Sequence, residues 1–293
     1  MRLPDQVLST VCFIATEEPG ITYRGTGFIV SVSGAHGNAY LYLVTAKHVA
    51  KRVESCPFVI GMNSSEGRKE QFRANFDPDH PWIWAHHPTE PESVDVAVAP
   101  FAPAEYNILD VEWIHYPEMF ATPEVIVTEG IGIGDEIAVI GLFTRFSGKG
   151  RHFPIARIGN LAMLPTERIP VGGFAPMEAY LAEGRSIGGL SGSPVFVRKT
   201  VNTTLPHSGD QPFAGTGRIY FIGLIHGHWD LSKDLSIAQA EAVNMGISII
   251  VPAHKIWEVV NQPELAEQRA NYDMEVGKEK LRAKDSNAPH SDL

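Results

Sequence analysis

Cysteine is scarce in this chain. Only Cys12 and Cys56 occur in 293 residues, too few for the disulfide framework of a small secreted domain. Both are expected to be free thiols in a reducing compartment, behaving as small buried hydrophobes. Positive charge is also short, with 24 Lys and Arg against 34 Asp and Glu, a formal net charge of −10. No basic stripe occurs, and phosphate contacts need one, so nucleic acid is excluded as a partner. No run approaches 18 uncharged apolar residues, so no membrane span is expected. The stretch from Met1 to Ala15 lacks the apolar core and small-residue cleavage site of a secretory signal, which points to a cytoplasmic protein. His80, His86 and His87, like the pair His226 and His228, have no cysteine or carboxylate at ligand spacing, so they read as loop histidines and neither metal nor cofactor is expected. The glycines of Gly130-Ile131-Gly132-Ile133-Gly134 precede a strand-like run and not a helix, which excludes a dinucleotide loop.

What is plentiful is turn chemistry: 27 Gly and 21 Pro, spread along a chain that is 44% hydrophobic. Short β-branched and aromatic runs lie between them, at Val7 to Ala15, Gly27 to Val32, Ala39 to Thr45, Phe58 to Met62, Val94 to Ala99 and Val125 to Val127. A second series covers Asp135 to Leu142, Ile155 to Leu164, Ala179 to Leu181, Pro194 to Arg198, Arg218 to Ile225 and Gly246 to Val251. An all-β protein of two similar units follows, residues 1–118 and 119–262. Helical periodicity first emerges after Pro252, where Ile256, Val259 and Val260 share one face of a short closing helix. Residues 263–293 are polar with alternating charge, a helical or disordered tail.

The run from Gly188 to Phe196, Gly-Gly-Leu-Ser-Gly-Ser-Pro-Val-Phe, places Ser191 among glycines that permit positive φ and close backbone approach. Main-chain N–H groups on such a loop are suited to binding a developing oxyanion. A serine hydroxyl needs an imidazole to take its proton and a carboxylate to orient that imidazole. His48 follows the apolar strand Leu43-Val44-Thr45, and Asp95 stands alone in Val94-Asp95-Val96-Ala97-Val98, where an unpartnered buried charge would be costly.

These segments, Gly25-Thr26-Gly27-Phe28-Ile29 with Thr45-Ala46-Lys47-His48-Val49, then Asp95-Val96-Ala97, then Gly189-Leu190-Ser191-Gly192-Ser193-Pro194-Val195, resemble the trypsin-like, chymotrypsin-fold serine peptidases. The order His, Asp, Ser and the separations of 47 and 96 residues match the roughly 45 and 93 of the chymotrypsin template. Gly134 to Gly141 is similar to the strand opening the second barrel of HtrA-type and glutamyl endopeptidases. Phe221 to Gly227 and Gly246 to Pro252 resemble the strands walling the specificity pocket. The resemblance runs from about residue 7 to 260. It implies two antiparallel six-stranded β-barrels with a short C-terminal helix, and a serine endopeptidase acting on protein or peptide. Ser191 would attack, His48 would serve as base and then acid, Asp95 would orient His48, and the N–H groups of Gly189 and Ser191 would form the oxyanion hole. Trypsin has an acid just before its serine, tied down by a freed amino terminus; here Leu190 stands there, so activation by that ion pair is excluded.

Gly184-Arg185-Ser186-Ile187-Gly188 matches an α/β-hydrolase elbow, but Gly189, Gly192 and Pro194 preclude the helix such an elbow requires. The substrate pocket is expected to involve Arg185, Ser186, His226 and His228. Glutamyl endopeptidases meet an acidic side chain with a histidine on the equivalent strand, and His226 lies one place off that alignment. The alternative function is a trypsin-like fold that binds a partner without cleaving it.

Overall fold

A computed structural model describes residues 3–17, 19–75, 77, 79, 81–103, 106–144, 146–184, 189–200, 217–230 and 244–286. A 3-10 turn over Asp5–Thr10 leads into β1 (Val11–Thr16), β2 (Thr22–Ser33) and β3 (Ala39–Thr45). One helical turn, α1 (Lys47–Ala50), precedes β4 (Phe58–Asn63), β5 (Lys69–Ala74), β6 (Ala85–His86), β7 (Ala97–Pro100) and β8 (Ile114–Tyr116). Helix α2 (Pro123–Glu129) connects to β9 (Glu136–Gly141), β10 (Ile155–Met163), β11 (Tyr180–Glu183), β12 (Pro194–Arg198), β13 (Ile219–Asp230) and β14 (Asn244–Pro252). Helices α3 (Ala253–Val260) and α4 (Pro263–Ser286) end the described chain.

The protein is all-β in its body, as the turn-rich pattern predicts. The second unit is a closed barrel in the order β10-β11-β14-β13-β12-β9. The first differs in detail from a six-stranded barrel: it is an eight-stranded sheet, ordered β5-β4-β1-β2-β3-β7-β6, with β8 added in parallel to β2. Val125 to Val127, read from β-branching as a strand, lies in α2. Capping decides the matter locally, because Thr122 Oγ1 accepts from the Val125 N–H, Pro123 occupies the first turn and Gly130 closes the helix in the left-handed region. Val7 to Thr10 likewise precedes its strand, inside the 3-10 turn.

The two units share a core. Phe28 of β2, Phe120, and Phe196 of β12 all lie around Phe221 of β13, with ring centroids 5.2, 4.9 and 6.0 Å from it. All four are fully buried, and each such side chain contributes about 2 to 3 kcal/mol of hydrophobic stabilisation. The seam between the sheets is therefore packed apolar surface, and side chains at its solvent edge are held from both sides.

The polar tail is ordered over α4. Asp273 caps the β2–β3 hairpin, accepting from the Ala35 N–H (2.9 Å), Asn38 Nδ2 (3.0 Å) and Tyr40 OH (2.7 Å), while Arg269 donates to Tyr42 OH and the Val260 carbonyl. Cys12 and Cys56 are unpaired; burial pushes the Cys12 thiol up to about 12. Among the described residues no helix is long and apolar enough to cross a membrane.

Candidate active site at the seam between the sheets

β3 runs buried into Thr45 and Ala46, then α1 turns away, the N–H groups of Val49 and Ala50 bonding back to the Ala46 carbonyl. That turn sets His48 at the edge of the seam with 23% of its side chain exposed. Asp95 comes from the segment between β6 and β7 and is fully buried. Its Oδ1 accepts the backbone N–H of His48 at 2.9 Å, and its Oδ2 lies 2.7 Å from His48 Nδ1 and 2.6 Å from His226 Nδ1. Burial works against ionisation of Asp95, but the hydrogen bonds from His226 and His48 outweigh it and hold the carboxyl well below the usual carboxylate range. An ionised carboxylate only accepts, so both rings present an Nδ1–H to it, and Nε2 is the acceptor of each ring in its neutral form.

The segment carrying Asp95 is braced from three directions. Lys47 Nζ donates to the Pro91 carbonyl, Arg168 pairs with Glu90, and Lys255 of α3 donates to Glu90 at 3.0 Å. Hydrogen bonds from Lys255 and Arg168 hold Glu90 down at about 2. His87 is buried, with Nε2 2.6 Å from Glu258 and Nδ1 accepting the Glu90 N–H. His86 Nδ1 faces the Val96 carbonyl at 3.3 Å.

Ser191 lies on the turn before β12. The Thr26 N–H donates to its carbonyl (3.0 Å), Thr26 Oγ1 to the Gly189 carbonyl (2.8 Å), and the Gly192 N–H to the Ile225 carbonyl (2.8 Å). The turn is thus pinned by β2 on one side and by β13, next to His226, on the other. Gly192 has φ +82°, and a Cβ there would lie 2.2 Å from the Thr26 carbonyl oxygen and 2.4 Å from Thr45 Oγ1, so only glycine fits. Gly189 is also left-handed, at φ +101°. Among the described residues, the N–H groups of Gly189 and Ser191 donate to no acceptor, and the Ser191 hydroxyl makes no hydrogen bond to His48. Leu190 is buried in the core of the second barrel, and the Ser193 hydroxyl is buried, with no partner among the described residues.

The architecture matches known molecules. The MamO protease domain from Magnetospirillum magneticum superposes with a TM-score of 0.51 at 14% identity, covering 87% of this chain and 97% of that one. The chain has the fold of the trypsin-like serine proteases. Deg5 (16% identity, 86% of this chain and 88% of that one, TM-score 0.47) and the HtrA-type protease AlgW with a decapeptide (15%, 89% and 72%, 0.48) are also similar in shape. No protein-family model matches, and no curated protein matches in sequence.

In this trypsin-like fold, the seam brings His48, Asp95 and the Ser191 turn to one place. Arg185 and Ser186 lie outside the described residues, as does His80. His228 is partly buried two places beyond His226 on β13, opposite Ser248 of β14. The bond from His226 to Asp95 is the feature that sequence reasoning missed. Its only trace was a histidine in an apolar strand, beside the residue pairing with the serine turn. His48, Asp95 and His226 also form the one cluster of metal-type donors among the described residues. A cation does not fit there as the side chains stand, because both Nδ1 atoms are donors to the carboxylate at 2.6 to 2.7 Å and offer it no lone pair.

Proposed function

We propose that the protein is a serine endopeptidase that cleaves peptide bonds through an acyl-enzyme. The observation that carries this is Asp95, fully buried, with one oxygen accepting the His48 backbone N–H and the other on the ring of His48. A buried charge is costly unless it is well partnered. Here it fixes the tautomer that leaves His48 Nε2 free to accept a proton.

In the reaction, Ser191 Oγ attacks the scissile carbonyl while His48 Nε2 takes its proton, and Asp95 stabilises the imidazolium. The oxyanion enters between the N–H groups of Gly189 and Ser191, which have no other acceptor among the described residues, each donor being worth about 3 kcal/mol. His48 then protonates the leaving amine, and water repeats the sequence on the ester. The serine–imidazole hydrogen bond forms with substrate present, as such bonds tighten in the Michaelis complex. Leu190, packed in the core, supports the serine turn without a charged partner, so no trypsin-style zymogen cleavage is needed.

In this reading residues 1–118 supply His48 and Asp95, residues 119–262 supply Ser191, and residues 263–293 are an appendage without chemistry. The two free cysteines fit a reducing, cytoplasmic setting. Arg185, Ser186, His226 and His228 line the substrate pocket, and Arg185 with the two histidines favours an acidic residue before the scissile bond. The non-cleaving alternative is favoured by one observation, the missing hydrogen bond between Ser191 and His48. Incubating a peptide library with the purified chain, read by mass spectrometry, separates the two. Cleavage, with a preference for acidic residues and abolished in Ser191→Ala, is expected. Intact peptides with folded protein would favour the binding role, and cuts after basic or large apolar residues would overturn the specificity.

A further inference from the structure

Asp95 Oδ2 serves two imidazoles almost equally, His48 at 2.7 Å and His226 at 2.6 Å. The other oxygen is taken by the His48 backbone N–H. Asp95 thus has no freedom to rotate without breaking a bond to one of three donors. His226 is itself held firmly. Phe174 meets its ring edge-on at 4.8 Å and 88°, and the adjacent Ile225 exchanges hydrogen bonds with Gly192 and Ser193. One strand, β13, therefore bonds the Ser191 turn through Ile225 and Asp95 through His226.

Sharing has an electrostatic consequence. Each N–H donated to Oδ2 stabilises the negative charge in place and leaves less of it to stabilise a proton on His48. Among the described residues, the titratable groups seen against the His226 ring are Asp95 and His48, whose ring centroid is 5.5 Å away. Phe174 covers His226 with an uncharged ring, and Ile249 and Ser248, paired with the next residues of β13, carry no charge. A proton on His226 would in turn repel one on His48.

We propose that His226 is a positioning residue of this site: its Nδ1–H locks Asp95 in place and moderates the basicity that Asp95 confers on His48. The proposal deepens the peptidase reading and rests on it for its catalytic meaning, but the bridge itself is testable without turnover.

In the full-length chain carrying Ser191→Ala, proton NMR should show two strongly downfield imidazole N–H signals, one assignable to His48 and one to His226. A single signal would overturn the proposal, and this measurement needs no substitution at 226. Following His48 by NMR as pH is varied, His226→Leu should raise its titration midpoint by about one pH unit, because Asp95 is then left to His48 alone. His226→Asn, whose amide places an N–H where Nδ1 stood, should return the midpoint toward that of the parent. Equal midpoints in all three proteins, or an Asn variant behaving like Leu, would refute the role. In the active chain, His226→Leu should lower kcat and shift the acid limb of the pH profile upward with little change in KM. A change confined to KM for acidic substrates would mean that His226 only lines the pocket. Absence of any cleavage would sink the peptidase reading while leaving the NMR outcome to decide the bridge.

Discussion

His152 offers a quantitative test of how the loop beneath the serine turn is secured. It is 3% exposed and neither ring nitrogen has a partner among the described residues. The ring occupies the space a side chain at position 61 would fill, since a Cβ on Gly61 would lie 2.7 Å from its Nε2, and it meets Phe13 edge-on at 5.0 Å. Asn63 clasps its backbone with bonds of 2.7 and 3.0 Å. Burial, helped by the charge of Lys69, pushes the imidazole from its ordinary 6.5 down to about 4. The unfolded chain therefore binds this proton first, so stability is complete above about pH 6.5 and is lost as pH falls toward 4. The shift corresponds to a loss of about 2 kcal/mol at pH 5 and about 3 kcal/mol at pH 4. The loop that carries His152 starts at Leu142, whose carbonyl, with Thr144, lies directly beneath Gly189. Acid should thus loosen the support of the serine turn. Urea titrations of the parent and His152→Leu at pH 7, 5 and 4 measure this directly. The parent should lose more stability than the variant by the amounts above. Parallel curves would refute the reasoning.

Three further outcomes follow from the geometry. Asp95→Asn should leave a folded protein, yet lower kcat by about four orders of magnitude through loss of the correct His48 tautomer, measured on any peptide the parent cleaves. Gly192→Ala puts a Cβ 2.2 Å from a backbone oxygen at positive φ, so it should cost about 2 kcal/mol or more in chemical denaturation and disable the serine turn. Phe221→Ala empties the centre of the aromatic seam and should lower unfolding free energy by about 3 to 5 kcal/mol.

Much of this was written in local sequence. The Gly-rich run around Ser191, the small residues before His48 and the lone acid at 95 each carry a local signature, and the structure puts the second segment against both of the others. What stayed hidden depends on tertiary context. The His226 bridge joins side chains 131 residues apart, and an apolar strand with one histidine looks the same whether that ring faces solvent, substrate or Asp95. Strand β5, Lys-Glu-Gln-Phe-Arg-Ala, lies at the end of the first sheet, partnered by β4 alone, with half-exposed polar residues that give no strong strand pattern. Val125 to Val127 misled in the other direction, because three β-branched residues were overruled by the Thr122 cap, Pro123 and Gly130. The tail was legible as polar but not as docked, since its anchors, Asp273 and Arg269, bond to a hairpin more than two hundred positions earlier.

The central claim is that Ser191 is an activated nucleophile in the chain as synthesised. Labelling with a fluorophosphonate probe, with the modified residue mapped by mass spectrometry, tests it most directly. Stoichiometric modification of Ser191 without prior proteolytic cleavage is expected, lost in Ser191→Ala and sharply reduced in His48→Ala. Folded parent protein that takes up no probe, or takes it up at Ser186 or Ser193, would contradict the account.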